Sequence, residues 1–262
     1  MRVAWCVKRE LAEELVNTRA RGYHKEIASA IKRRAAQEKV RLNQQGDRYI
    51  GTTKPSYALK AAVVGEIVRG WIARHPDLTP ADYRHLLDSL SRSKTHNEFA
   101  FIGPLLSHLP RLRKTLAPCA LDGWLARAEG WAEVDCICQS NFTADELLAK
   151  WGDWKRLLIG LSKSANVHER RASLVLLTKA VRDSADARLA QLAFANIGRL
   201  KRDNHILMTK AVSWLLRDLI KHHRAEVEAY LDDHADTLPK IAVRETRGKL
   251  ATGKKGGALR DA

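Results

Sequence analysis

Apolar residues recur along most of the chain at intervals of three and four positions, which is the spacing of one face of an α-helix. The clearest series are Leu59, Val63, Ile67 and Trp71, followed later by Leu174, Leu177 and Val181. Sustained alternation of apolar and polar residues, the pattern typical of half-buried strands, is absent from the sequence. The pattern therefore predicts an all-α protein built from about a dozen short helices.

Helix boundaries are marked by glycine, proline and capping residues. Thr79 precedes Pro80, a combination that predicts an N-cap followed by proline at the first helical position. Thr143 is followed three residues later by Glu146, which is the spacing of a capping box. We therefore expect one helix to begin after Thr79 and another after Thr143.

Two segments of the second half of the chain resemble each other. RASLVLL from Arg171 and KAVSWLL from Lys210 align at an offset of 39 residues, and LKAAVVGEIV from Leu59 is a weaker match. A period near 40 with two helices per repeat is typical of HEAT-like and armadillo-like solenoids. The repeat predicts an α-solenoid of HEAT-like helix pairs with a concave basic face, and an irregular helical bundle is the alternative.

The net charge is +16, with a sequence pI near 9.9, and such an excess attracts polyanions. Nucleic acid is the expected partner, although basic proteins without that role exist. We expect no membrane partner, because the apolar runs are short and no signal peptide is evident, and we expect a cytoplasmic protein, nucleoid-associated if bacterial. The four cysteines and ten histidines lack the spacing of a disulfide framework or a metal site.

The segment GWAEVDCIC, residues 130–138, carries the first candidate chemistry. Trp131 and Asp135 are four residues apart, so on a helix both side chains lie on one face. A carboxylate there can stabilise positive charge developing at a sugar C1′ and orient a water, as in glycoside hydrolysis. The indole face can hold a cationic substrate. The alternative interpretation is an ordinary amphipathic helix.

The two repeated segments carry further candidates. Arg170 and Arg171 lie in the first, and Lys210, Trp214 and Arg217 lie in the second. If equivalent helices of successive repeats face the same way, these side chains converge with the Trp131 helix, and an arginine there would grip a phosphate. The alternative is that the arginines form surface ion pairs and that Trp214 belongs to the core.

These segments together resemble the DNA alkylation repair family of HEAT-like glycosylases, of the AlkD type. That family has a Trp-x-x-x-Asp helix, then an arginine-alanine helix, then a helix of the type KAIGWxLRE and an RE-containing segment near the end. The corresponding segments here are YIGTTKPSYALK from Tyr49, WAEVD from Trp131, RRAS from Arg170, KAVSWLLRD from Lys210 and RETRGK from Arg244. The resemblance covers residues 49–249 with the motifs in the family's order.

The resemblance implies a metal-free and cofactor-free enzyme that excises N3- or N7-alkylated purines from double-stranded DNA, and we expect the protein to be a monomer. It implies that Asp135 is the catalytic carboxylate, that Trp131 and Trp214 flank the deoxyribose of the lesion, and that Arg171 contacts the substrate at its backbone phosphate. Further contacts with the DNA backbone are then expected from Arg170, Lys210, Arg217 and Arg244. Whether the base is flipped out of the duplex or stays stacked is left open.

The sequence also departs from the family's pattern. His168 stands where the family often has tryptophan, Ser213 stands where it has glycine, and no aromatic residue precedes Tyr49 in LNQQGD. These departures leave open a DNA-binding solenoid without catalysis, for damaged or branched DNA, and a HEAT adaptor for acidic protein segments. We expect an N-terminal helical segment over residues 1–45, a HEAT-like DNA-binding domain over 46–251 and a flexible basic tail over 252–262.

Overall fold

The computed structural model describes residues 2–254, with side chains from residue 16 onward. Within these residues the all-α class is confirmed. The only strands described are Leu42–Asn43 and Ser56–Tyr57, which form a short antiparallel ribbon that the hydrophobic pattern did not predict. The chain divides into two compact units, the first formed by residues 1–120 and 127–137 and the second by residues 121–126 and 138–262.

The helices are numbered in chain order. They are α1 (Arg2–Gln37), α2 (Ala61–Arg74), α3 (Pro80–Leu90), α4 (His96–Ala100), α5 (Ile102–His108), α6 (Pro110–Arg113), α7 (Ala120–Leu125), α8 (Trp131–Cys138), α9 (Ala144–Ala149), α10 (Trp151–Ser162), α11 (Val167–Asp183), α12 (Ala187–Leu200), α13 (Ile206–Leu219), α14 (Arg224–His234) and α15 (Lys240–Thr252). The strands β1 (Leu42–Asn43) and β2 (Ser56–Tyr57) lie between α1 and α2.

Both predicted caps are present. The Thr79 side chain accepts a hydrogen bond from the Asp82 backbone N–H, with Pro80 in the first turn of α3. Thr143 and Glu146 form the predicted capping box at the start of α9, each side chain bound to the other's backbone. Each cap satisfies N–H groups that would otherwise lack a helical partner, which explains why these two helices begin where the sequence indicates.

In the first unit, α1 packs against α2 and α3. Ile27 and Ile31 lie on the buried side of α1, and Trp71 is the largest buried side chain of α2. Full burial of such a side chain stabilises the fold by about 1.5–3 kcal/mol. The indole N–H of Trp71 is not left unpaired, because it donates to Glu26 on α1 at 3.2 Å. The N-terminal helix therefore shares one core with the helices that follow it.

In the second unit, α11, α13 and α15 pack as successive neighbours, and α10 and α12 pack against α11. Because neighbours surround it, α11 is buried at nearly every position from Arg171 to Val181. Helices α11 and α13 begin 39 residues apart, at Val167 and Ile206. The helix-pair repetition that the sequence predicts is therefore present as packed, equivalent helices.

The C-terminal helix α15 ends at Thr252, and Gly253 follows in the left-handed conformation with φ 71°, which caps the helix as glycine commonly does. Of the tail expected over 252–262, residues 255–262 lie outside the described residues. No helix in the described part of the chain is long and apolar enough to cross a membrane.

Candidate functional site

Helix α8 carries both Trp131 and Asp135, one turn apart, so the two side chains share a helix face as their spacing predicts. Trp131 is partly exposed at the first position of the helix. Asp135 is 9% exposed, which places its carboxylate at the edge of the core rather than in open solvent. This arrangement puts a negative charge in a poorly hydrated setting beside an accessible indole.

A loop before β2 fixes the orientation of Trp131. The indole Nε1 donates a hydrogen bond to the backbone oxygen of Tyr49 at 2.7 Å, and the Tyr49 ring meets the indole edge-on at 5.8 Å between centroids. The Tyr49 side chain is itself 81% exposed. Two aromatic rings, one anchored and one projecting into solvent, therefore stand together at the start of α8.

The loop can approach this closely because residue 130 is glycine. A Cβ added at Gly130 would lie 2.2 Å from the backbone oxygen of Ile50 and 2.7 Å from the carbonyl carbon of Gly51. Both obstacles are backbone atoms, which cannot rotate out of the way. Gly130 is therefore required for the contact between the loop and α8.

The loop is also shaped by its own hydrogen bonds. The N–H of Asp47 donates to Thr52 O at 2.9 Å, and the N–H of Gly51 donates back to Asp47 O at 2.9 Å. Gly51 adopts a positive φ of 76°, which costs glycine little. The Asp47 carboxylate accepts from the Tyr49 N–H at 2.8 Å. These bonds present Tyr49 in one defined position.

A buried ionic network fastens the same loop beneath α8. The Glu133 side chain is fully buried. Its Oε2 accepts from Lys54 Nζ at 2.7 Å and from the Glu129 N–H at 2.9 Å, and its Oε1 accepts from Thr52 Oγ1 at 3.2 Å and lies 3.1 Å from His96 Nδ1. Burial alone would raise the pKa of Glu133, but the hydrogen bonds from His96, Lys54 and the Glu129 backbone outweigh burial and lower it. Glu133 is therefore a charged structural anchor.

The residue next to Asp135 is held in its protonated form. Burial, with smaller contributions from the charges of Glu133 and Asp135, raises the pKa of the Cys136 thiol to about 12. The thiol donates to the Ala100 backbone oxygen at 2.9 Å. It packs so closely on Gly103 that a Cβ there would lie 2.6 Å from the sulfur. Cys136 is therefore a packing residue and not a nucleophile.

The second unit contains another tryptophan and aspartate four residues apart, Trp214 and Asp218 on α13. Here the indole lies near enough to the carboxylate of its own helix to lower the pKa of that carboxyl. Burial is the larger influence and raises the pKa of Asp218, although Arg182 and Lys249 also lie near enough to oppose the shift. Asp218 is thus a buried carboxylate paired with Arg182 at 3.4 Å.

Three of the arginines expected at the DNA make contacts inside the second unit. Arg171 is buried and donates to Leu207 O at 3.0 Å. Arg170 pairs with Asp203 at 2.9 Å. Arg217 is buried and bound to Ser213 Oγ at 3.0 Å. The guanidinium groups therefore stabilise the helix pairs in this structure, and their contact with DNA stays a prediction.

The two motif segments near the end of the chain are joined by one carboxylate. Glu245 on α15 accepts from Ser213 Oγ at 2.6 Å and is paired with Arg217. Burial would raise the pKa of Glu245, but these hydrogen bonds and the arginine charges lower it. Lys210 and Arg244, by contrast, are exposed and remain accessible to a ligand.

Comparison with known families decides the relationship. A family model described as DNA alkylation repair enzyme matches residues 11–250. The chain belongs to this family. The identification from the motif order is confirmed, and so are a role in the repair of alkylation damage and DNA as a partner. A comparison with curated proteins found no match.

The family match extends further toward the N-terminus than the motifs do, because it begins within α1 at residue 11. The alkylation repair motifs pointed to Trp131 and Asp135, which the structure places on one face, and to the segment that contains Tyr49. They did not point to Lys54 or Glu133. The only sequence signal for that pair was a lysine inside the YIGTTK segment and a glutamate inside WAEVD.

Proposed function

We propose that this protein is a DNA glycosylase that hydrolyses the N-glycosidic bond of cationic N3- or N7-alkylated purines in duplex DNA. Asp135 is the catalytic carboxylate, and Trp131 holds the deoxyribose of the lesion. The observation that carries the proposal is the geometry of α8, where a largely buried carboxylate lies one turn below an accessible indole whose N–H is fixed at 2.7 Å on Tyr49 O. In the second unit, Trp214 and Arg171 are proposed as substrate-binding residues.

The chemistry suits a site with one carboxylate and no general acid. An N3- or N7-alkylated purine already carries positive charge, so it leaves as a neutral base when the C1′–N bond breaks and takes the bonding electron pair. The sugar then carries an oxocarbenium-like charge. Asp135 stabilises that charge and accepts a proton from the water that adds to C1′.

The setting of Asp135 strengthens this effect. Its side chain is 9% exposed, so little water screens the attraction between the carboxylate and a cationic sugar. A preorganised charge of this kind stabilises a transition state without reorganising solvent during the reaction. The indole face of Trp131, next along the same helix face, adds attraction for a cation.

Binding of the duplex is supported by the net charge of +16. Contacts to phosphate carry no sequence information and so suit a protein that must find damage anywhere in DNA. Exposed Lys210 and Arg244 fit such contacts directly. Arg170 and Arg217 are also proposed as backbone contacts, and each would have to offer N–H groups beyond those used inside the unit.

The test is release of free base from a duplex methylated at guanine N7, measured by chromatography after incubation with purified protein. Wild-type protein should release 7-methylguanine and leave an abasic site, well above the release in buffer and with heat-denatured protein. Tight binding of the duplex without release would contradict the proposal and favour the non-catalytic DNA-binding alternative. A protein that neither binds the duplex nor releases base would contradict both the glycosylase role and the non-catalytic DNA-binding role.

A further inference from the structure

A second basic surface lies in the first unit, between α1 and the end of α2. This surface contains two adjoining clefts, and Arg33 and Arg74 line both of them. Lys25 and Ser29 line one cleft, and Gly70 lines the other. Because residue 70 has no side chain, the space between the helices stays open. We name this surface the α1–α2 groove, defined by Lys25, Ser29, Arg33, Gly70 and Arg74.

Two carboxylates, Glu26 and Glu66, also line the clefts. Glu66 pairs with Arg34 at 2.8 Å. Glu26 lies 2.9 Å from His75 Nε2 and accepts from the Trp71 indole. Both carboxylates therefore contact residues other than the three cations that define the groove.

The three cations of the groove form no direct ion pairs. Lys25, Arg33 and Arg74 are all exposed, and within residues 16–254 none of the three takes part in an ion pair with a carboxylate. Three like charges on one surface repel one another, and an anionic ligand would relieve that repulsion. The groove therefore has the positive charge expected of a binding surface for an anion.

Three cations and a serine follow a line along α1. Arg21, Lys25, Ser29 and Arg33 succeed one another at intervals of four, and all four are exposed. The interval places them on one face of the helix, and the twelve residues from first to last correspond to about 18 Å. The buried Ile27 and Ile31 occupy the opposite side. The stripe is long enough to meet several phosphates of one DNA strand.

We propose that the α1–α2 groove binds the sugar–phosphate backbone of duplex DNA. The two arginines clamp phosphate oxygens, Lys25 adds a point charge, and the Ser29 hydroxyl donates to the backbone. The groove is an additional contact, formed by residues other than those of α8. The inference rests on the DNA partner of the proposed function and does not depend on base excision.

An acidic protein segment is the competing occupant, and the lining argues against it. Protein interfaces have a desolvated apolar or aromatic centre that supplies most of the affinity. The apolar side chains at the groove, Ala30 and Ile67, are buried in the core and offer little surface. The exposed lining is charged or hydroxylated, as backbone recognition requires.

The test compares the Arg33→Gln/Arg74→Gln double variant with wild type on unmodified duplex DNA. Two lost phosphate contacts should make the slope of log K against log salt shallower by about 1.8 and weaken binding about tenfold or more near physiological salt. The loss should be the same for two unrelated sequences. The matched control is Arg84→Gln/Arg156→Gln, which removes two exposed, ion-paired charges elsewhere.

The control pair should leave the slope close to that of wild type. A groove variant with wild-type affinity and slope, and with an unchanged thermal midpoint, would overturn the proposal. Equal losses in both double variants would overturn it too, since they would reflect net charge alone. At protein concentrations that saturate a methylated duplex, the groove variant should excise base at the wild-type rate. The binding measurement uses unmodified DNA, so it tests the groove even if the wild-type protein excises no base.

Discussion

The two units each contain a tryptophan and an aspartate four residues apart on a helix, yet the two pairs make different contacts. On α8, the indole N–H of Trp131 donates to a backbone oxygen of the loop at Tyr49. On α13, the Asp218 carboxylate lies near the Trp214 indole and is paired with Arg182 at 3.4 Å. The same sequence spacing thus gives one pair whose indole is held by the loop and another whose carboxylate is paired with an arginine.

The surroundings of each pair separate a chemical role from a structural one. Asp218 faces the cations Arg182 and Lys249 inside the second unit. Asp135 lies on the helix whose accessible indole is held in place by the loop. We therefore expect the chemistry to depend on Asp135, and we expect Asp218 to contribute to packing within the second unit.

The largest effect should come from loosening the loop that holds Trp131. Lys54→Met leaves the buried Glu133 carboxylate without its cation, 2.7 Å away in wild type. Removing one partner of a buried ion pair costs about 3–5 kcal/mol of unfolding free energy. Chemical denaturation at pH 7 measures the loss, with Lys60→Met, an exposed lysine six residues on, as the control.

A second variant shows whether that loss has the stated cause. Adding Glu133→Gln to Lys54→Met removes the unpaired charge, so the double variant should recover part of the lost stability. No recovery would mean that lost packing of Lys54 over the Phe99 ring, 4.2 Å from its ammonium, dominates instead. Because the pKa of Glu133 is lowered, its contribution is present above 4.5 and is lost as the pH falls through the folded value.

A smaller effect is expected at the exposed member of the aromatic pair. Tyr49→Ala removes a ring that is 81% exposed beside Trp131 and that we expect to stack on a DNA base. Stacking is worth about 1–3 kcal/mol per base, which corresponds to weaker binding by about 5- to 150-fold. Fluorescence anisotropy with a methylated duplex measures it.

Tyr49→Phe is the matched control for that measurement. It keeps the ring, and the backbone oxygen that accepts from Trp131 is unaffected by either substitution. The Tyr49→Phe variant should therefore bind the methylated duplex with wild-type affinity. Wild-type affinity in the Ala variant would show that Tyr49 does not touch DNA.

The smallest effect on stability should come from the second pair. Asp218→Asn loses the attraction to the partly exposed Arg182, which is worth about 1 kcal/mol or less at pH 7, but it also removes a buried charge, which offsets that loss. Since burial raises the pKa of Asp218, ionisation disfavours the folded state, and wild type should gain stability relative to Asn as the pH falls through the folded value toward 3.8. Unfolding curves at several pH values would contradict this if the difference ran the other way.

The sequence predicted the features that depend on neighbouring residues. The helices, the Thr79 and Thr143 caps, and the shared face of Trp131 and Asp135 follow from spacings of three and four, and the repeat offset anticipated the packing of α11 against α13. Each of these is a property of a single helix or of a helix compared with its copy. Local periodicity is sufficient to specify them.

The features that the sequence did not predict depend on residues far apart in the chain. The bond from Lys54 to Glu133 joins positions 79 residues apart, and that from His96 to Glu133 joins positions 37 apart. No spacing rule connects such positions. Arg171 and Arg217 were expected at a ligand surface but are buried, because how much of a helix is covered depends on how many neighbours flank it.

The most direct test of the central claim compares Asp135→Asn with Asp218→Asn in single-turnover release of 7-methylguanine from methylated duplex. Asp135→Asn should slow release by about 10²- to 10⁴-fold while DNA affinity holds or rises slightly, because an anion is removed near phosphate. Asp218→Asn should stay within about tenfold of wild type, since Asp218 is paired with Arg182 inside the second unit and has no part in the proposed chemistry. Excision by Asp135→Asn at the wild-type rate, or an equal loss in both variants, would contradict the assignment of the chemistry to Asp135.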